Sequence, residues 1–320
     1  VTASIPVLTI TGAIGPAVSH YLTSEIDRAN NDQINGQQQI PLILITLNTP
    51  GGLVSSLRDI NQSILNSNIP IACLVYPAGS RAASAGTYIL YACHIAAMAD
   101  TTTLGAATPV SIGNPLPTGD KKPANPYQPK SNNDNESNDQ AEGSEQNKQG
   151  SQPTKTAMEK KVLNDAVAYI RSLAQLRDRN AEWAELAGIE AATLTAREAL
   201  AKNVINLLAQ SPQQLIEKLN GQEVTLKQQQ VLLTLTDAQI ELRAPDWRSN
   251  FIDTITNPNI AYILMLIGIY GILLEFYSPG IGVAGVTGSI SLFIALYAFQ
   301  LLPVDYVGLA LLLLGIALLI

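Results

Sequence analysis

The nine residues "IPLILITLN", Ile40 to Asn48, are apolar on both faces for most of their length. A strand with one wet face alternates apolar and polar residues, whereas a run apolar at odd and even positions is how a strand buried in a parallel sheet reads. Parallel strands need crossovers, so the flanking segments must supply helices. They do. After this run, "TPGGLVSSLRDINQSIL" places Val54, Leu57, Ile60 and Ile64 on one helical face, and before it the segment from Pro16 does the same with Val18, Leu22, Ile26 and Ala29. "IPVLTITGAIG" reads as a first strand, "IPIACLVY" as a third and "HIAAMAD" as a short fourth, with a small-residue helix after "SRAAS". The alternation predicts an α/β core with right-handed crossovers.

Charge is spread unevenly along the 320 residues, with almost every Lys, Arg, Asp and Glu before Asp253. That asymmetry predicts a soluble part followed by a membrane part. A net charge of -7 without a Lys/Arg cluster argues against nucleic acid as a partner. Cys73 and Cys93 are twenty residues apart in apolar surroundings, without metal-ligand spacing, and read as buried thiols. The chain begins at Val1, as a mature form freed of its signal peptide or a fragment would.

Residues 115–157 are rich in Pro, Asn, Gln, Ser and Gly and almost free of large apolar side chains, so a disordered insertion is expected there. It divides a folded region of 1–114 and 158–250. A helix resumes at "AMEKKVLNDAVAYIRSLAQLRDRN", with Met158, Val162, Ala166, Ile170 and Leu173 at helical spacing. Thr195 and Glu198 stand in capping-box register. Ser211, Pro212 and Gly221 mark the cap, first turn and stop of another helix. "EVTL", "QVLLTL" and "IELR" read as edge or hairpin strands. Within 251–320, three apolar runs at about 260–276, 280–302 and 306–320 read as transmembrane helices joined by tight reversals, the last of them cut short. The connecting loops hold no Lys or Arg, so charge gives no orientation.

Two strand-to-helix junctions carry the chemistry: "LNTPGG" and "AASAG". Such junctions lie at the carboxyl edge of a parallel sheet, where ligands bind. The N–H groups of Gly51, Gly52 and Ala85 each sit at a helix start, where a negative charge is favoured, so two of them could form an oxyanion hole beside Ser84. Ser84 itself has two readings, an ordinary N-cap or a nucleophile. Small neighbours at Ala82, Ala83, Ala85 and Gly86 favour an elbow close to G-x-S-x-G. A nucleophile needs a base. His20 lies on the polar face of the first helix, and His94 is a helix length of about 15 Å away. Lysine remains: its usual pKa of about 10.4 can fall to about 7 or 8 when its charge is desolvated. Lys155, Lys160 and Lys161 stand at the start of the later helix, and the pattern does not choose between Lys160 and Lys161.

Taken together, "LNTPGG", "SRAASAGTYILYACHIAAMA", "LGAATPV", "VAYIRSLAQLRDRNAEWAE" and "NPNIAYILMLIGIYGILLEFYSPGIGVAG" resemble the long form of the NfeD proteins, membrane-bound serine proteases of the ClpP class. The resemblance implies a ClpP/crotonase-like β-β-α spiral followed by C-terminal transmembrane helices. It implies a Ser-Lys dyad of Ser84 and Lys161, the lysine eight residues before the Tyr of "VAYIRSLA". Gly52 and Ala85 would supply the oxyanion N–H groups, with Gly51 shaping the turn and no metal or cofactor required. ClpP draws its histidine from the region matching "LGAATPV", which has none here, in keeping with a lysine base. The long form usually continues into a small soluble barrel, and this chain stops before one, as a fragment would.

The expected activity is endopeptidase action on apolar peptide segments, with a stomatin-like membrane protein as partner, the bilayer as surroundings and a homo-oligomer as the working state. The protease domain is expected outside the cytoplasm, on a multi-pass anchor. Two other functions fit the same residues. A crotonase-like acyl-CoA enzyme would also use paired N–H groups, but needs carboxylates that neither junction carries. A membrane scaffold would keep Ser84 only as a cap.

Overall fold

The computed structural model describes residues 3–109, 157–236, 238–245, 247–255, 257–277 and 282–301. The expected insertion, up to residue 156, and the third apolar run at 306–320 lie outside the described residues.

Six strands build the main sheet, all paired in parallel. They are β1 (Ser4–Thr11), β2 (Ile43–Asn48), β3 (Ile71–Val75), β5 (Ile95–Met98), β8 (Leu207–Leu208) and β11 (Gln239–Leu242), in the order β11-β1-β2-β3-β5-β8. Side chains alternate across a strand, so each strand fills two cores. Leu8, Ile10, Ile45, Leu47, Cys73 and Met98 face one layer. Ile5, Val7, Leu44, Leu74 and Ala97 face the other. The first layer is closed by α1 (Pro16–Ile34), α2 (Val54–Asn66), α3 (Ala85–Ala92), α4 (Ala157–Leu176) and α5 (Ala181–Ile189), whose buried residues belong to the same cluster. Both faces of β2 are fully buried, as its composition requires, and truncating Ile45 there to alanine would cost about 2–5 kcal/mol.

A second, smaller sheet lies beside the first. It joins β4 (Arg81–Ala83), β6 (Thr103–Gly105) and β7 (Thr193–Thr195), with β4 parallel to β6 and β7 antiparallel to it. The chain thus runs from β3 to β4 and then α3, and from β5 to β6 towards α4. The remaining elements follow the punctuation read from the sequence. Thr195 and Glu198 form the capping box of α6 (Ala196–Ala201). Ser211 accepts the Gln214 N–H at the start of α7 (Pro212–Leu219), and Gly221 lies just beyond its end at φ +77. β9 (Glu223–Leu226) and β10 (Gln229–Leu232) form a hairpin, while β11 is one edge strand of the main sheet.

The cysteines depart from the expectation of free thiols. Cys73 and Cys93 are joined in a disulfide, with Cα atoms 5.9 Å apart. That separation lies within the range a disulfide spans. The crossover through α3 returns the chain onto the face of β3 that carries Cys73. Twenty residues of sequence separation hide this closeness.

After β11 come α8 (Trp247–Ile255), α9 (Pro258–Tyr277) and α10 (Val283–Leu301). Among the described residues one helix, Asn259–Tyr277, is long and apolar enough to cross a membrane, and Val283–Phe299 is a shorter apolar helix. The two pack closely: a Cβ added at Gly271 would meet the Ala284 carbonyl oxygen at 2.8 Å and Gly288 Cα at 2.9 Å. Small residues at such a crossing let helix backbones approach, the usual basis of packing between apolar helices.

Candidate active site

Ser84 occupies the N-cap position of α3 but does not cap it, because its side chain accepts no bond from the first turn. Its backbone instead adopts φ 51 and ψ -117. A non-glycine residue there carries strain on the order of 1–3 kcal/mol, sustained only when the surroundings over-determine it. The surroundings do so. The Ser84 N–H donates to the Gly105 carbonyl at 2.9 Å, and the Thr87 N–H donates back to the Ser84 carbonyl at 2.9 Å. Thr87 Oγ1 lies 2.8 Å from the Ala82 carbonyl and 2.9 Å from that of Gly105, and accepts the Gly105 N–H at 3.1 Å. The serine is therefore presented at a sharp strand-to-helix turn with its hydroxyl left out of the cap.

The "TPGG" turn is stitched alongside. Thr49 N–H donates to the Arg81 carbonyl at 2.7 Å and Ala83 N–H donates to Thr49 O at 3.1 Å, so the turn runs beside β4. Ile14 N–H donates to Gly51 O and Leu53 N–H to Ile14 O, both at 2.8 Å. Gly51 has φ +116, and a Cβ on it would stand 2.6 Å from Ser84 Cβ and 3.1 Å from Ser84 Oγ. A Cβ on Gly52 would reach the Ile14 carbonyl oxygen at 2.0 Å. Both positions exclude any larger residue, one because of the serine itself. Among the described residues, the Gly52 and Ala85 N–H groups take part in no turn, loop or cap bond.

A narrow cleft of about 60 Å³ opens at Ser84, lined by Gly52, Leu57, Arg58, Ala85, Tyr88, Val162, Asp165 and Tyr169 among others. Larger concavities lie elsewhere, one between α1 and α2 and one around His94, Arg177 and Lys218. Neither contains a strained serine at a helix start, so size does not decide the site. The far wall of the cleft is α4. At about 100° per residue, Val162, Asp165 and Tyr169 form one stripe, Lys161 flanks it and Lys160 points away. Lys161 is exposed and lies outside the cleft lining.

The histidines stand apart from this chemistry. His20 is exposed on α1. His94 is buried, and its Nδ1 accepts the Ile71 N–H at 3.2 Å. Burial first, then the Arg177 and Arg179 charges, push its pKa down to about 3. Sequence reasoning missed Thr87, whose hydroxyl anchors the turn, and Asp165 with Arg58, which line the cleft from separate helices. Asp165 also supplies a carboxylate that neither junction carries, although Arg58 Nη2 holds it at 2.7 Å.

These features define a class: a membrane protein whose α/β domain presents a strained serine between two helix starts. Residues 259–320 match the NfeD integral membrane domain and residues 4–141 the N-terminal domain of NfeD1b. The chain is 31% identical over 284 residues to the membrane-bound protease PH1510 of Pyrococcus horikoshii, covering 88% of this chain and 56% of that one. It is 27% identical over 259 residues to the membrane protein NfeD1b of Bacillus subtilis, covering 80% and 48%. It thus spans about half the length of these curated relatives. A solved structure of 1510-N, a membrane-bound stomatin-specific protease, taken as a lysine-to-alanine mutant in complex with a substrate peptide, matches with TM-score 0.58 and 29% identity over 79% of this chain and 98% of that one. A serine-to-alanine mutant of 1510-N matches with TM-score 0.57 and 30% identity, over 77% and 100%. The chain belongs to the NfeD family, in its long, protease-like form.

Proposed function

We propose that this protein is a membrane-anchored serine endopeptidase working through a Ser84–Lys161 dyad. The observation that carries the reading is the strained, uncapped Ser84 beside the N–H groups of Gly52 and Ala85. Ser84 Oγ attacks the scissile carbonyl carbon while its proton passes to the Lys161 amine, and the N–H pair holds the tetrahedral oxyanion. The carbon–nitrogen bond then breaks, and Lys161 returns the proton to the departing amine. Water, deprotonated by Lys161, releases the acyl group and restores Ser84. A peptide lying in the cleft covers this end of α4 and supplies the desolvation that Lys161 lacks here.

The strand order supports a ClpP/crotonase-like spiral, since two successive units, β3-β4-α3 and β5-β6-α4, each place one strand in the main sheet and the next in the small sheet before a helix. The apolar lining around Val162, Leu57 and Ala85 suits an apolar peptide, and the named specificity of 1510-N suggests a stomatin-like membrane protein as its source. A multi-pass anchor and an extracytoplasmic protease domain complete the reading. The disulfide supports that location, because such bonds persist in oxidising compartments. We place Lys161 with its dyad in a homo-oligomer.

The test is cleavage of an apolar peptide by the full chain, its Ser84→Ala variant and its Lys161→Ala variant. Loss of cleavage by at least a thousandfold in both is expected. Undiminished cleavage by Ser84→Ala would sink the mechanism. Asp165 in the cleft keeps an acyl-CoA reaction as the outcome to compare, and the exposed Lys161 does the same for a scaffold. A scaffold would assemble its partner normally without cleaving any peptide.

A further inference from the structure

Lys161 and Asp165 stand four residues apart on α4, the spacing at which helix side chains of opposite charge meet. A carboxylate there would favour the charged ammonium, the form that cannot accept a proton. The structure directs the carboxylate elsewhere. Arg58, reaching across from α2, places Nη2 2.7 Å from Asp165 Oδ2. The same guanidinium lies 3.7 Å from the centre of the Tyr169 ring, one turn further along α4. Tyr169 is fixed in turn: Asn61 Nδ2 donates to its hydroxyl at 3.0 Å, and the Tyr88 ring of α3 stacks on it at 6.0 Å between centroids. A lysine in place of Arg58 would lack the planar fork that reaches the carboxylate while covering the ring.

We infer that Arg58 is a positioning residue that withdraws the Asp165 carboxylate from Lys161 and so leaves the lysine to Ser84. The inference rests on Lys161 being the base. Other charges near this end of α4 do not perform the same task. On α4 itself stand Glu159 and Lys160. From α5, Glu185 sits towards the other end of α4, where Arg171 holds it at 3.1 Å. From α3, Tyr88 is pushed up to about 12 by burial and stays uncharged.

The experiment is the pH dependence of kcat/KM for an apolar peptide, at low salt because the ion pair lies near solvent and is screened. The rate rises with pH as the base loses its proton. Arg58→Met leaves Asp165 to pair with Lys161, so the rising limb moves to higher pH by about one unit, a tenfold loss on the limb. Asp165→Asn leaves only the cationic neighbour, so the limb moves to lower pH. The double variant returns close to wild type. A uniform loss of rate with the limb unmoved in both single variants would mean that the pair merely clamps α4, and would overturn the inference. Should Arg58→Met fail to fold, the direction of the Asp165→Asn shift decides alone. Lys161→Ala separates the two levels: if it cleaves normally the dyad itself is wrong, whereas its inactivity with unmoved limbs condemns only the role of Arg58.

Discussion

Thr87 is one hydroxyl on which the serine turn depends. It bridges the Ala82 and Gly105 backbone groups, and Gly105 in turn receives the Ser84 N–H. Valine has nearly the same shape and none of the bonds, so Thr87→Val leaves buried backbone groups unpaired and should cost about 1–3 kcal/mol, read from urea unfolding. Because the strained φ of Ser84 relaxes when its supports go, peptide cleavage should fall further than stability alone explains. A variant with unchanged unfolding midpoint and unchanged cleavage would show that the turn holds without it. Nothing in "SAGTYIL" marks Thr87 as different from any helical threonine. Its partner Gly105 is eighteen residues away, and only the small sheet brings them together. Ser84 was legible for the opposite reason: its small neighbours, and the glycines of "TPGG", are local to the turn they permit.

At the scale of elements, the strands long enough to show an apolar run were readable and the three-residue strands were not. β1, β2, β3 and β5 show as apolar runs because both their faces are buried. β4, β6 and β7 have three residues each, too few to show a period, and exist through pairing with one another. The same limit hid the end of α3. Its terminal carbonyls are taken by the buried Arg179, which donates to Leu90 O at 2.9 Å, Cys93 O at 2.9 Å and His94 O at 3.1 Å. His94, beside them, has a testable consequence. Its native pKa is depressed from 6.5 to about 3, so the native state rejects a proton that the unfolded chain binds. Stability is therefore retained above about pH 6.5 and lost as the pH falls towards about 3. His94→Gln should flatten that part of the fall, in urea unfolding at pH 7, 5 and 4. An identical slope in both proteins would contradict it. Of the proposed dyad, the helix carrying Lys161 was legible from its apolar stripe, whereas the partner of Asp165 was not, because Arg58 lies 107 residues away on α2.

Across the whole molecule, the soluble domain is tied to the membrane-directed segment through β11. Arg243, at its end, is buried with Nη2 3.2 Å from Glu241 Oε2 and 3.0 Å from Gln38 Oε1, and Nη1 3.4 Å from Glu25 Oε2 of α1. The Tyr21 hydroxyl donates to its carbonyl. The chain passes from this anchored point into α8 and the apolar pair α9 and α10, so the Ser84 cleft is tethered to the helix long and apolar enough to cross a membrane. Such an arrangement suits the proposed hydrolase, whose substrates would share its bilayer. The central claim is that Ser84 is its nucleophile, and labelling tests it most directly. The full chain, held in detergent, is treated with a fluorophosphonate and digested, and the adduct is mapped by mass spectrometry. The account predicts one phosphonylated serine, Ser84, with labelling abolished in Ser84→Ala and slowed in Lys161→Ala. Equal labelling of wild type and Ser84→Ala would contradict it.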